Sequence, residues 1–110
     1  MSFAPELSVI QRAVLRRISS LALPAGARLL DAPCGAGALT LALAQAGFEA
    51  WGADTDPEAA HRLGERFRRV DLNTALPWPD GYFDAVFSIE GIEHLENPFA
   101  FLREAHRVLR

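Results

Sequence analysis

The sequence predicts an α/β fold, an open parallel sheet of strand order 3-2-1-4 with helices on both faces. Three observations carry that expectation. Short apolar runs of strand length alternate with segments whose apolar side chains recur every three or four residues. The stretch Leu29-Leu30-Asp31-Ala32-Pro33-Cys34-Gly35-Ala36-Gly37-Ala38-Leu39 passes from a strand through a glycine-bearing bend into a helix. In open α/β sheets such a bend sets a helix N-terminus beside a strand end, where ligands bind. Half of the 110 residues are hydrophobic, enough for one domain with its own core.

The elements follow in order. Leu7, Ile10, Val14, Ile18 and Leu21 form one helical stripe over 6–21. Residues 1–25 therefore read as an N-terminal helical segment packing on a domain of residues 26–110. Leu23-Pro24-Ala25-Gly26 is a linker into a first strand at Arg28–Asp31. A second helix covers about Gly37–Gln45 and stops near Gly47. Phe48–Asp54 is the second strand. Asp56-Pro57-Glu58 then supplies a cap, a first-turn proline and an acid for a helix bearing Ala60, Leu63 and Phe67.

Phe67–Val70 makes a short third strand whose flanking arginines suit a sheet edge. Asn73–Tyr82, with two prolines and Asp80-Gly81, is a loop. Phe83–Ser88 is strand four, and Asn97-Pro98 opens a last helix with Phe101, Leu102, Ala105 and Leu109 on its apolar face. Helices between the strands make them parallel, with the ligand crevice beside strand one. Strand four is left with an open outer edge, so chain beyond Arg110 or a second copy in a homodimer is expected to cover it.

Composition removes several classes. Eleven arginines and no lysine stand against fourteen acids, a formal charge of −3. Arg12, Arg16 and Arg17, like Arg66, Arg68 and Arg69, read as solvated faces, and no nucleic-acid partner is expected. No apolar run approaches the ~18 residues of a spanning helix, and Met1–Glu6 lacks a basic-then-apolar leader. The expected location is cytoplasmic, with no membrane partner. The single cysteine, Cys34, excludes an internal disulfide.

The candidate site is read residue by residue. Gly35 and Gly37 suit a backbone that passes close to a ligand or takes positive φ, although an ordinary turn uses glycine too. A dinucleotide fingerprint needs glycine where Thr40 stands, and a phosphate-cradling loop needs a lysine. Asp54 ends strand two, twenty-three residues after Asp31. It is placed to accept both hydroxyls of a ribose, with Thr55 beside it and Asp56 the better cap. Asp71 suits an exocyclic amine and Leu72 a ring face; a solvated acid and a core leucine are the plain alternative. Asp31 suits a ligand ammonium, or serves as a strand-end acid. Cys34 lines the corner with no activating base in view. Glu90 and His94 are four apart and would share a face of a helical turn, but no second cluster supports a metal. His94 is chemically suited to general-base work, yet reads first as a lining residue. No catalytic residue is named.

Beyond this point the chain resembles the class I S-adenosylmethionine-dependent methyltransferases, in particular the small-molecule type. The resemblance covers about 26–109. It rests on Asp31-Ala32-Pro33-Cys34-Gly35-Ala36-Gly37, on Gly52-Ala53-Asp54-Thr55-Asp56-Pro57-Glu58, on Asp71-Leu72, and on Leu76 to Ser88 running into Glu90 and Glu93-His94-Leu95. It continues to Arg107-Val108-Leu109. Pro33 replaces the usual first glycine. The resemblance implies a three-layer Rossmann-like fold lacking its C-terminal strands. It implies S-adenosyl-L-methionine as cofactor, held by Asp31, Cys34, Gly35, Gly37, Asp54, Thr55, Asp71 and Leu72. Ser88 and Ile89 would complete that site, and Glu90 and His94 would lie toward a small-molecule methyl acceptor. The alternatives are a non-catalytic cofactor-binding module, an inactive truncated fragment, or an NAD-dependent oxidoreductase, against which Thr40 counts.

Overall fold

The computed structural model describes residues 6–110; Met1–Pro5, on which part of the leader expectation falls, lie outside the described residues. Helix α1 spans Val9–Ser20, β1 Arg28–Asp31, α2 Ala38–Gln45 and β2 Glu49–Asp54. A single-turn α3 (Ala60–Leu63) lies between two 3-10 turns, followed by β3 (Phe67–Arg69), β4 (Ala85–Phe87) and α4 (Pro98–Val108). The sheet order is β3-β2-β1-β4, every pair parallel, as the sequence predicts.

Alternation along the strands sorts the core into two layers. Leu29 and Ala50 pack with Ile18, Leu39 and Leu43, beneath α1 and α2. Leu30 and Ala53 face the other way, among Val70, Leu72, Leu76, Trp78, Phe83, Phe101 and Val108. On that second face α4 shares the cover with the loop 73–82, whose Leu76 and Trp78 are buried. An amphipathic helix and a loop thus do together what a second helix would do.

Local chemistry explains each boundary. Ser8 and Gln11 close α1 with a reciprocal capping box, so the helix begins at Val9 and not at residue 6. Asn97 caps α4 through the Ala100 N–H. The helix expected to carry Phe67 is cut short at Gly64, at φ 54°, and Phe67 instead opens β3. Strand four is shorter than Phe83–Ser88. Beyond α4 the chain returns, and Leu109 bridges Phe83 in parallel. Among the described residues Ala85–Phe87 has β1 as its one strand neighbour.

Arg107 ties the loop to α4. Its guanidinium donates to the Leu76 and Trp78 carbonyls, each at 2.9 Å, to Glu104 at 2.9 Å and to Asp80 at 2.8 Å. Those bonds hold Glu104 below the usual carboxylate range, with the Arg107 contact the largest cause. Arg107→Ala is expected to destabilise the protein by about 2 kcal/mol in urea denaturation, since two loop carbonyls and the Glu104 and Asp80 carboxylates lose its guanidinium. Arg107→Lys should recover a fraction, because an ammonium lacks the planar fork.

Candidate functional site

The site forms where β1 and β2 end. After Asp31 the backbone leaves the sheet, still anchored by the Ala32 N–H to the Phe87 carbonyl and the Cys34 N–H to the Ala53 carbonyl, both at 3.0 Å. The bend is therefore pinned to β4 on one side and β2 on the other. Gly35 and Gly37 both take positive φ, 54° and 85°, a region that favours glycine. Their roles then separate. A Cβ on Gly37 would meet Ala59 at 3.0 Å, whereas one on Gly35 would meet nothing within 4 Å. Gly37 lets α2 pack against the residues before α3; Gly35 leaves its flank open.

Two adjoining cavities occupy this end of the sheet. One, of about 320 Å³, is lined among others by Asp31, Cys34, Gly35, Asp54 and Ile89. The other, of about 250 Å³, is lined among others by Asp54, Thr55, Asp71, Leu72 and His94. Asp54 and Glu90 line both. The structure thus gathers eight of the ten sequence-derived candidates. Gly37 and Ser88 line neither cavity: Gly37 caps α2 from behind, and the Ser88 hydroxyl is buried without a partner. Gly91 sits against that hydroxyl, and a Cβ there would also overlap the Pro33 ring.

The Asp54 carboxylate is already engaged. Oδ2 accepts the Gly35 N–H at 2.9 Å and Oδ1 the Asp56 N–H at 3.0 Å. Asp56 caps the following 3-10 turn through the Glu58 N–H. Oδ1 also takes the Thr55 hydroxyl, at 3.5 Å, while Oδ2 keeps a lone-pair site, so Asp54 fixes the glycine bend and still offers an acceptor to the cavities. Asp71 behaves similarly: Oδ1 takes the Asn73 N–H and side-chain amide, both at 2.9 Å.

Asp31 is the unusual acid. It is 3% exposed, and Oδ2 accepts from the buried Thr40 hydroxyl at 2.9 Å. Burial, partly offset by that bond, pushes its pKa up to about 7, with Asp54 adding a smaller upward push. Burial and the same two acids push the Cys34 thiol up to about 12, which leaves it without thiolate at neutral pH. Cys34 is expected to resist iodoacetamide at pH 8 in the folded chain and to react once urea exposes it, as mass spectrometry would read.

Sequence reasoning missed the contribution of α1. Glu6, Ser8 and Gln11 line the larger cavity. The Ser-x-x-Gln capping pattern marks the helix start, but only long-range packing brings it here. Glu90 and His94 do not share a helical turn: Ile92–His94 is one 3-10 turn, and Glu90 precedes it at φ 55°.

Comparison with known proteins agrees with this geometry. Residues 30–110 match the family described as "Methyltransferase domain". The chain is 34% identical over 112 residues to the demethylmenaquinone methyltransferase of Tropheryma whipplei (strain Twist), covering 94% of this chain and 47% of that protein. It is 30% identical over 120 residues to the 27-O-demethylrifamycin SV methyltransferase of Amycolatopsis mediterranei, covering 96% and 44%. Among solved structures, the [4+2]-cyclase SpnF superposes with a TM-score of 0.73 at 28% identity, over 91% of this chain and 41% of that one. The chain spans under half the length of these relatives.

Proposed function

The chain belongs to the class I S-adenosylmethionine-dependent methyltransferases of the small-molecule type, and from that membership we propose that its crevice binds S-adenosylmethionine for methyl transfer to a small-molecule acceptor. The carrying observation is the combination of an open flank at Gly35 with the carboxylates of Asp31, Asp54 and Asp71, in cavities that no arginine lines. A pyrophosphate would be repelled there. A cationic ligand with an amino group, ribose hydroxyls and an exocyclic amine fits.

When bound, S-adenosylmethionine supplies an electrophilic methyl group on a sulfonium. The chain's own part is to bind and orient. Asp54 accepts from the ribose hydroxyls. Asp71 accepts from the adenine amine, and Leu72 covers the ring. Asp31 takes the ammonium, which compensates the carboxylate that burial disfavours. Gly35 lets the backbone approach. Ile89 closes the wall beside β4.

The acceptor is a small molecule of the kind for which the Tropheryma and Amycolatopsis relatives are named, with demethylmenaquinone the first to test. The test has two stages. Titration calorimetry with S-adenosylmethionine should give saturable binding. Transfer of a labelled methyl group to the acceptor should follow, both in this chain and in a version extended past Arg110. Binding without transfer in either would favour a reading in which the crevice holds the cofactor without methyl transfer; the similarity to SpnF, which is named as a cyclase and not as a methyltransferase, is the specific support. Preference for NAD over S-adenosylmethionine would overturn the proposal.

A further inference from the structure

We infer that Glu90 is a specificity-determining residue of the crevice, placed to read the positive charge of the sulfonium and so to favour the cofactor over its neutral demethylated product. This rests on the crevice being the S-adenosylmethionine site. The two cavities share three lining residues, Pro33, Asp54 and Glu90. If the amino-acid end occupies the cavity of Asp31 and the nucleoside end that of Asp71, the sulfur joining them falls at the shared wall.

Of the three shared residues, Pro33 carries no charge, and Asp54 is engaged by the Gly35 and Asp56 N–H groups and, in the proposed site, by the ribose hydroxyls. Glu90 is different. Among the described residues no hydrogen bond or ion pair engages its carboxylate, and His94 in the next turn has its Nε2 beside the Glu93 carboxylate, at 3.6 Å. The backbone also holds Glu90 at φ 55°, a conformation that strains a residue with a long side chain. The neighbouring bend explains why it persists. Gly91 is packed on Pro33 and Ser88 with no room for a Cβ, so the chain turns at residue 90. Glycine would suit that position better for stability, yet a carboxylate stands there.

Charge completes the case. Glu6, Asp31, Asp54 and Glu90 line the larger cavity without an arginine among its walls. A sulfonium adds one positive charge that the thioether product lacks, so an uncompensated acid at the junction discriminates between them. The interaction is exposed and hence screened, and is expected to amount to about fivefold in affinity at low salt, less at high salt.

The experiment is calorimetry of S-adenosylmethionine and S-adenosylhomocysteine on the unmodified chain, Glu90→Gln and Glu90→Gly. Urea denaturation checks that each variant is folded. The expected result is a sulfonium-to-thioether affinity ratio that falls about fivefold in both variants while thioether affinity stays put. Glu90→Gly should also raise the denaturation midpoint, because it relieves the backbone. An unchanged ratio in folded variants, or equal weakening of both ligands, overturns the inference and leaves the cofactor site standing. Failure of the unmodified chain to bind either ligand overturns both.

Discussion

Asp54→Asn is expected to lower S-adenosylmethionine affinity about 10- to 100-fold while leaving the chain folded. The carboxylate has two tasks, and the amide keeps half of each. In the parent one oxygen holds the Gly35 N–H and the other the Asp56 N–H. Asparagine retains one acceptor and turns an amine toward the second donor, which solvent can reach because Asp56 is exposed. On the ligand side, the proposed site has two ribose hydroxyls donating to a charged acceptor in the parent. Bonds of that type contribute about 1.5–3 kcal/mol each, and losing one gives the stated range. Asp54→Ala should bind still more weakly but also loosen the bend, which makes asparagine the cleaner variant. Calorimetry reads the affinity, and far-ultraviolet circular dichroism checks the fold. A folded Asp54→Asn chain with the parent's affinity would remove Asp54 from the site.

That double duty of Asp54 marks how far residue-by-residue reading reaches. The ends of β1 were legible because its two leucines stand between a glycine linker and a glycine bend, and the parallel pairing of β1 to β3 follows from the helices between them, whereas β3 reaches β4 through the loop 73–82. The acids at Asp31, Asp54 and Asp71 were legible because strand ends in such a sheet face one crevice. Less legible was anything depending on packing between distant segments. Asp84 sits within the expected fourth strand, but its carboxylate accepts the Arg28 N–H at 2.8 Å and its own N–H goes to the Arg28 carbonyl at 2.7 Å, so β4 begins after it. Thr40 was read through the glycine it replaces. Its function is the hydroxyl it gives Asp31, which no spacing rule announces. The first turn of α1 at the cavity mouth is likewise a product of tertiary docking.

The Thr40–Asp31 pair leads to the second large effect. Asp31→Asn is expected to stabilise the ligand-free chain at pH 8 by about 2–4 kcal/mol and by less than half as much at pH 5, where the window has only begun to open. In the folded chain the carboxyl ionises near pH 7, against 3.8 for the ordinary group. Between those values the unfolded chain gives up a proton that the folded chain retains, so stability falls as pH rises through the window. The loss is complete above about 7. Asparagine is neutral throughout and its carbonyl still accepts the Thr40 hydroxyl, so the variant has no such window. Glu49, held low first by the Trp51 indole N–H and then by Arg66 and Arg28, and Glu104, held low by Arg107, act in the opposite sense. Their stabilisation is lost only as pH falls below the ordinary carboxylate value, outside the range compared here. Urea denaturation of parent and variant at both pH values isolates Asp31. A difference of the same size at pH 5 and pH 8 would show that ionisation of this carboxyl is not the cause. With S-adenosylmethionine present the order should invert, because in the proposed site the buried charge that destabilises the empty crevice is the one that meets the ligand's ammonium. Asparagine at this position should therefore give a more stable chain that binds its cofactor less well.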